Sequence, residues 1–252
     1  MIRRIFCAYI SFSLLLSIAY FAAHAMEKAA DMVIDTFSAE IGQDGIPAGW
    51  KPLFFKKIPA NTRYTVEQEG DNYFVKADSR SSASGIYREI DIDPKVYNTI
   101  SWRWRVENII KKGDEKKKAG DDYAARIYVA FKYDPDSATF LETAKYRAIK
   151  LIYGKYPPRA VLNYIWANKL PKGEAADNAF TKHAKMIAVQ SGDSEIGKWI
   201  MEERNLYEDY RRLFHNEPPH IMAIAIMTDT DNTGESAVAY YDDIVLMSKS
   251  LN

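Results

Sequence analysis

Ile221 to Leu246 reads IMAIAIMTDTDNTGESAVAYYDDIVL. Its first seven residues are all apolar, as in a strand buried on both faces. Ala237 to Leu246 resumes with aromatic and β-branched residues, which suit a pleated surface. Between them lie Asp229, Asp231, Asn232, Thr233 and Gly234, and Asp242 and Asp243 follow on the returning strand. The pattern predicts two long strands closed into a hairpin by an acidic turn.

Strands of this kind recur upstream. Asp31–Phe37, Ile86–Ile92, Val161–Ala167 and Lys185–Gln190 each read as one, and Tyr64–Gln68 with Tyr73–Ala77 forms a hairpin around Gly70-Asp71-Asn72. Thr99–Val106, TISWRWRV, sets Ile100, Trp102, Trp104 and Val106 on one face and Ser101, Arg103 and Arg105 on the other. In Gly120–Phe131 the two faces are Tyr123, Ala125, Ile127, Val129, Phe131 and Asp122, Ala124, Arg126, Tyr128, Ala130. Ser79–Gly85 reads as flexible, and the Lys/Glu-rich Lys111–Gly120 as a solvated, mobile loop. Helical spacing occurs over Thr139–Tyr153 and Asn205–Phe214; Lys198–Glu203 fits either a strand or a helix start. Nine or ten strands, two helices and no βαβ alternation predict a mainly β, antiparallel sandwich of jelly-roll or galactose-binding-like type. No internal repeat or Pro-rich linker divides it, so residues 26–252 are expected to form a single domain.

The first 25 residues are set apart. Arg3 and Arg4, an apolar run over Ile5–Ala22 and Ala23-His24-Ala25 read as a secretory signal peptide with cleavage after Ala25, the alternative being a membrane-anchoring helix at the short edge of what spans a bilayer. A periplasmic or secreted location follows, with no transmembrane segment after cleavage. Removal of the signal takes Cys7, the only cysteine, and with it disulfides, thiol catalysis and thiolate metal sites. It also tips the balance of 34 basic and 34 acidic residues acidic by two, which gives no support for nucleic-acid binding. Without disulfides, stability must come from a core, and 47% hydrophobic residues with 17 Tyr and 5 Trp can build one.

Three constellations carry candidate chemistry. Asp229, Asp231, Asn232 and Asp243 offer hard oxygens for a structural Ca²⁺, although the twelfth position from Asp229 is Tyr240, not the glutamate an EF-hand requires. The competing reading is a turn whose Asp and Asn side chains bond their own backbone. Were the TISWRWRV strand and the following one neighbours, Arg103, Arg105, Arg126 and Tyr128 would line one cationic, aromatic groove for an anionic or polar ligand, with Asp122 beside Arg126. Cross-strand ion pairs are the alternative there. Tyr128, Trp166, Tyr240 and Tyr241 are candidate stacking platforms for a sugar ring, set against the more frequent fate of such residues in a core.

Catalysis has thinner support. His183, His215 and His220 suit neither a triad nor a metal pair, and Asp121-Asp122 and Asp242-Asp243 point to opposite faces of their strands. A cross-pair such as Asp122 with Asp243 stays open for a glycoside hydrolase or lyase.

SWRW at Ser101–Trp104, GDDYAARIYVAF at Gly120–Phe131, YIWA at Tyr164–Ala167, Arg204-Asn205 with Asp209-Tyr210, and DTDNTG at Asp229–Gly234 with AYYDDI together resemble an exported bacterial family catalogued as domain of unknown function 3047. That family implies no activity and no catalytic residue. The late Tyr-Tyr-Asp-Asp strand is also similar to the last strand of jelly-roll carbohydrate-binding modules, which implies a Ca²⁺ held by Asp35, Asp242 and Asp243. The leading expectation is a non-catalytic binding module for a polar ligand of the carbohydrate class. A carboxylate glycosidase and a structural envelope protein with a protein partner are the alternatives.

Overall fold

The computed structural model describes residues 29–38, 41–42, 45–135, 143, 146–147, 150 and 156–250. The expected signal peptide and most of the helix expected over Thr139–Tyr153 lie outside the described residues. Asp31–Asn252 forms one compact unit, separate from Met1–Ala30.

Thirteen strands are described: β1 Met32–Asp35, β2 Lys51–Phe54, β3 Arg63–Glu69, β4 Asn72–Arg80, β5 Ala83–Ile92, β6 Thr99–Val106 and β7 Tyr123–Phe131. After them come β8 Ala160–Ala167, β9 Ala175–Asp177, β10 Ala184–Ser191, β11 Ile200–Asn205, β12 Ile221–Asp229 and β13 Ser236–Met247. One sheet runs β11-β6-β13-β4-β3, with β1 also on β13, and the other runs β2-β5-β12-β7-β8-β10-β9. The chain alternates between them, so that β4-β13-β6-β11 faces β5-β12-β7-β8. That arrangement is a jelly roll. All pairings are antiparallel except β8 with β10, which is parallel.

The alternation in TISWRWRV sets this packing. Ile100, Trp102, Trp104 and Val106 are fully buried between the sheets, while Ser101, Arg103 and Arg105 face outward. Trp102 meets Trp104 at 5.3 Å between ring centroids and Tyr164 at 5.3 Å, and Trp104 meets Trp166 at 5.8 Å. Hydroxyls stitch the two layers. Tyr241 Oη on β13 donates to the Met227 carbonyl at 2.7 Å, and Tyr64 Oη on β3 donates to the Ser84 carbonyl at 2.6 Å.

Several connections differ from expectation. β12 and β13 do not pair: each is central to a different sheet, and Thr230–Glu235 is an arch across the core, not a hairpin turn. β6 and β7 likewise lie in opposite sheets, so the groove that needed them as neighbours does not form. Ser79–Gly85 is not a flexible loop. It carries the chain from β4 to β5 through buried Ser79, Ser82 and Ser84, and Ser79 Oγ lies 2.8 Å from Thr230 Oγ1. Nor is Lys111–Gly120 wholly solvated. Glu115 is buried and its carboxylate accepts the amides of Asn168, Lys169 and Leu170, at 2.5 to 3.1 Å. Gly120 is needed where it stands, since a Cβ there would sit 2.7 Å from the Asp114 backbone nitrogen.

Lys198–Glu203 resolves as strand, with β11 running into helix α1, Leu206–Phe214. Asn205 caps that helix by accepting the Glu208 amide at 3.0 Å, and His215 ends it in the left-handed region at φ 57°. Among the described residues no helix is long and apolar enough to cross a membrane.

Candidate functional site in the seven-stranded sheet

The residues singled out by sequence disperse over three environments. Trp166 and Tyr241 are core residues at 1% and 0% exposure. Neither ring offers a ligand a face, because both strands carrying them are covered on the side the rings point to. Arg103 and Arg105 lie on the outer face of the six-stranded sheet. Arg103 pairs with Asp242, Asp243 and Asn72, and Arg105 with Glu107 at 3.2 Å. Trp199 stacks against both guanidinium groups, at 5.0 Å and 5.4 Å, and Tyr240 against Arg105 at 4.0 Å. The cross-strand ion-pair reading describes Arg103, whereas Arg105 pairs with a residue two places along its own segment.

Arg126 and Asp122 fall elsewhere, in a buried polar network below the arch. Arg126, 3% exposed, makes a two-pronged contact with Asp229 on the neighbouring strand β12. Its guanidinium carbon lies 4.4 Å from the Tyr123 ring and 5.6 Å from that of Tyr128. Burial opposes its charge, but Tyr128, Asp121, Tyr123 and Asp122 around it raise its pKa. Asp122, fully buried, holds the arch by accepting the amides of Asn232 at 3.2 Å and Thr233 at 2.6 Å. Asp121 accepts the Tyr123 hydroxyl at 3.0 Å and the Asn178 amide.

Of the candidate metal ligands, Asp229 and Asp231 gather with Asp122, with ligand oxygens within 4.8 Å of one another. Burial, then the Asp122 charge, raise the Asp231 pKa. Asn232 contributes its backbone amide and a contact to Asp231 at 3.3 Å. Asp243 is not part of the group. It sits seven residues beyond the start of β13, roughly 20 Å along the strand, and pairs with Arg103 at 2.7 Å. The same separation keeps Asp122 and Asp243 from acting as a carboxylate pair. Asp35 is engaged too, accepting the Phe37 amide and Trp50 Nε1, both at 2.7 Å, and Arg88 at 3.0 Å.

Tyr128 is the predicted ligand contact that stands half-buried on the outer face of the seven-stranded sheet. The strand registers show what surrounds it. Tyr87, Ala225, Tyr128, Asn163, Met186 and Ala176 follow one another across β5, β12, β7, β8, β10 and β9 on the outer face of the seven-stranded sheet. Two half-exposed tyrosines thus flank a small residue, two strand spacings or about 10 Å apart. The adjacent row is shallow: Ala223, Ala130, Val161 and Ala184, all half-buried. Charged pairs bound it on the Tyr87 side and at the end of the sheet, Lys51 with Glu89, and Asp91 with Lys132 and His220. Burial raises the Tyr128 pKa, while Arg126 nearby works against the shift, so the hydroxyl stays protonated. This is a shallow, aromatic-edged strip, and the charged groups that bound it are paired with one another. Tyr87 and Asn163 escaped the sequence reading because only strand register joins them to Tyr128.

The fold and this strip define a jelly-roll domain with an aromatic outer face. The family described as "Protein of unknown function (DUF3047)" matches residues 48–245, and the chain belongs to it. No curated protein matches the chain. Among solved structures it is similar to the family 11 carbohydrate-binding module of the cellulosomal cellulase Lic26A-Cel5E of Clostridium thermocellum, at 12% identity and TM-score 0.45, over 90% of this chain and 99% of that one. A family 11 module from Clostridium thermocellum in complex with a beta-1,3-1,4-mixed-linked tetrasaccharide gives 11% and 0.43, over 89% and 100%. The CBM22-1 xylan-binding domain from Paenibacillus barcinonensis Xyn10C gives 11% and 0.34, over 89% and 99%. Likeness at this level carries no argument about what this chain binds.

Proposed function

We propose that the protein is an exported, periplasmic or secreted, non-catalytic binding module whose ligand is a glycan laid across the outer face of the seven-stranded sheet. The observation that supports this is the row Tyr87–Ala225–Tyr128, two half-exposed rings with a small residue between them on a rigid sheet. A pyranose presents an apolar C–H face that packs on such rings, while its hydroxyls meet the polar groups alongside. Tyr128→Ala and Tyr87→Ala are each expected to weaken binding to a retained polysaccharide about tenfold while the protein stays folded. Affinity electrophoresis against a panel of bacterial and plant polysaccharides measures this. Wild-type mobility unaffected by every polysaccharide would remove the proposal.

A second proposal concerns Ca²⁺. The Asp122–Asp229–Asp231 group holds three carboxylates against the single charge of Arg126, and burial first, then the Asp122 charge, raise the Asp231 pKa. A Ca²⁺ taking Asp231 with carbonyls and water would relieve it. Millimolar Ca²⁺ is expected to raise the melting temperature, and Asp231→Ala to abolish the rise. An identical thermal transition with Ca²⁺ and with a chelator would rule the ion out.

A further inference from the structure

We infer that the cavity at the end of the sandwich, where β7 ends, β8 begins and α1 runs out, is a binding site for a small aromatic carboxylate. The site is independent of the glycan reading, and no residue of the tyrosine row lines it. Its volume is about 150 Å³, the size of a cavity that takes up a single benzene ring. Tyr133, Tyr146, Tyr210 and Phe214 supply its walls. These rings hold one another in place. Tyr133 and Tyr146 stack with centroids 3.8 Å apart and planes 12° from parallel. Tyr210 meets Phe131 at 4.5 Å and Phe214 at 4.7 Å. The space between them is preformed, and a planar ring entering it gains the contacts that aromatic pairs favour.

The polar end of the site is Tyr210. This residue is 2% exposed, yet its hydroxyl makes no hydrogen bond among the described residues. The oxygen keeps access to solvent, and the space that Tyr210 lines is the cavity. The other two hydroxyls are engaged, that of Tyr133 with Thr143 Oγ1 and that of Tyr146 with the Pro158 carbonyl, both at 3.3 Å. Burial raises the Tyr210 pKa, so its hydroxyl keeps its proton and donates; the Arg159 charge is close enough to oppose that shift. A buried donor without an acceptor calls for one from a ligand. Arg159 lines the cavity and no carboxylate does, so the favoured acceptor is an anion. A carboxylate accepts from the Tyr210 hydroxyl while its ring lies between the walls. A uronate offers the same carboxylate, but it would bring ring hydroxyls among aromatic faces and leave them short of partners.

The test is isothermal titration of the protein with benzoate, benzyl alcohol and galacturonate. Benzoate is expected to bind about tenfold more tightly than either of the others. Tyr210→Phe should weaken benzoate about tenfold, through loss of a hydrogen bond to a charged group. Its melting temperature should hold or rise, because the hydroxyl it removes had no partner in the protein. Phe214→Ala opens one wall at the end of α1 and should weaken benzoate several-fold; it decides the matter if Tyr210→Phe fails to fold. Benzyl alcohol bound as tightly as benzoate would overturn the carboxylate, and galacturonate bound more tightly would overturn the aromatic ring. Benzoate affinity unchanged in both variants, or no binding of benzoate by wild type, would overturn the site.

Discussion

Asp229→Ala is expected to cost about 3–5 kcal/mol of stability, the penalty for leaving a buried charge without its partner. Arg126 is nearly inaccessible, and Asp229 is its only ion-pair partner among the described residues. The carboxylate also accepts the Tyr123 amide at 3.2 Å, so its removal releases the start of β7. The pair itself should be worth less than this figure, because desolvating both groups offsets most of their attraction. Arg126→Met combined with Asp229→Leu is therefore expected to be closer to wild type than either single change. Denaturant unfolding of the four proteins measures the coupling. A loss below about 1 kcal/mol in Asp229→Ala, the range of a solvated surface pair, would contradict the burial that the structure gives it.

How much of this was legible beforehand divides along one physical line. Local periodicity was readable: the alternation of TISWRWRV, the Gly70-Asp71 turn of the β3–β4 hairpin and the helical spacing that ends at Phe214 are all as the sequence implies. These depend on residues within a few positions of one another. Partner choice was not readable. Two strands joined by a tight acidic segment look alike whether they pair or face each other across a core, so β12–β13 passed for a hairpin and β6–β7 for neighbours. That error gathered Arg103, Arg105 and Arg126 onto one surface, whereas the fold separates them. Aromatic platforms failed for a related reason. β8 is buried on both faces, so alternation along VLNYIWA cannot mark an exposed side, and Trp166 was as eligible as Tyr128. Tyr87 and Asn163 come together with Tyr128 from three strands, through register alone.

Trp166→Ala separates the two readings of that residue by its largest expected effect. As a sugar platform, it would lose binding and keep its fold. In the structure it is a core side chain packed on Trp104, with Nε1 donating to the Gly192 carbonyl at 2.9 Å. Deleting a buried indole costs about 3–5 kcal/mol, and in a domain of this size that lowers the melting temperature by on the order of 10 °C. Below that lowered midpoint the folded protein should bind glycan as wild type does, because Trp166 points to the inner face of the sheet and the tyrosine row lies on the outer one. Calorimetry and titration on the same preparation read the two quantities independently. Tyr128→Ala should give the opposite weighting, a lost affinity with a smaller fall in melting temperature. Unchanged stability in Trp166→Ala with abolished binding would return the indole to the ligand and displace Tyr87 and Tyr128 from that role.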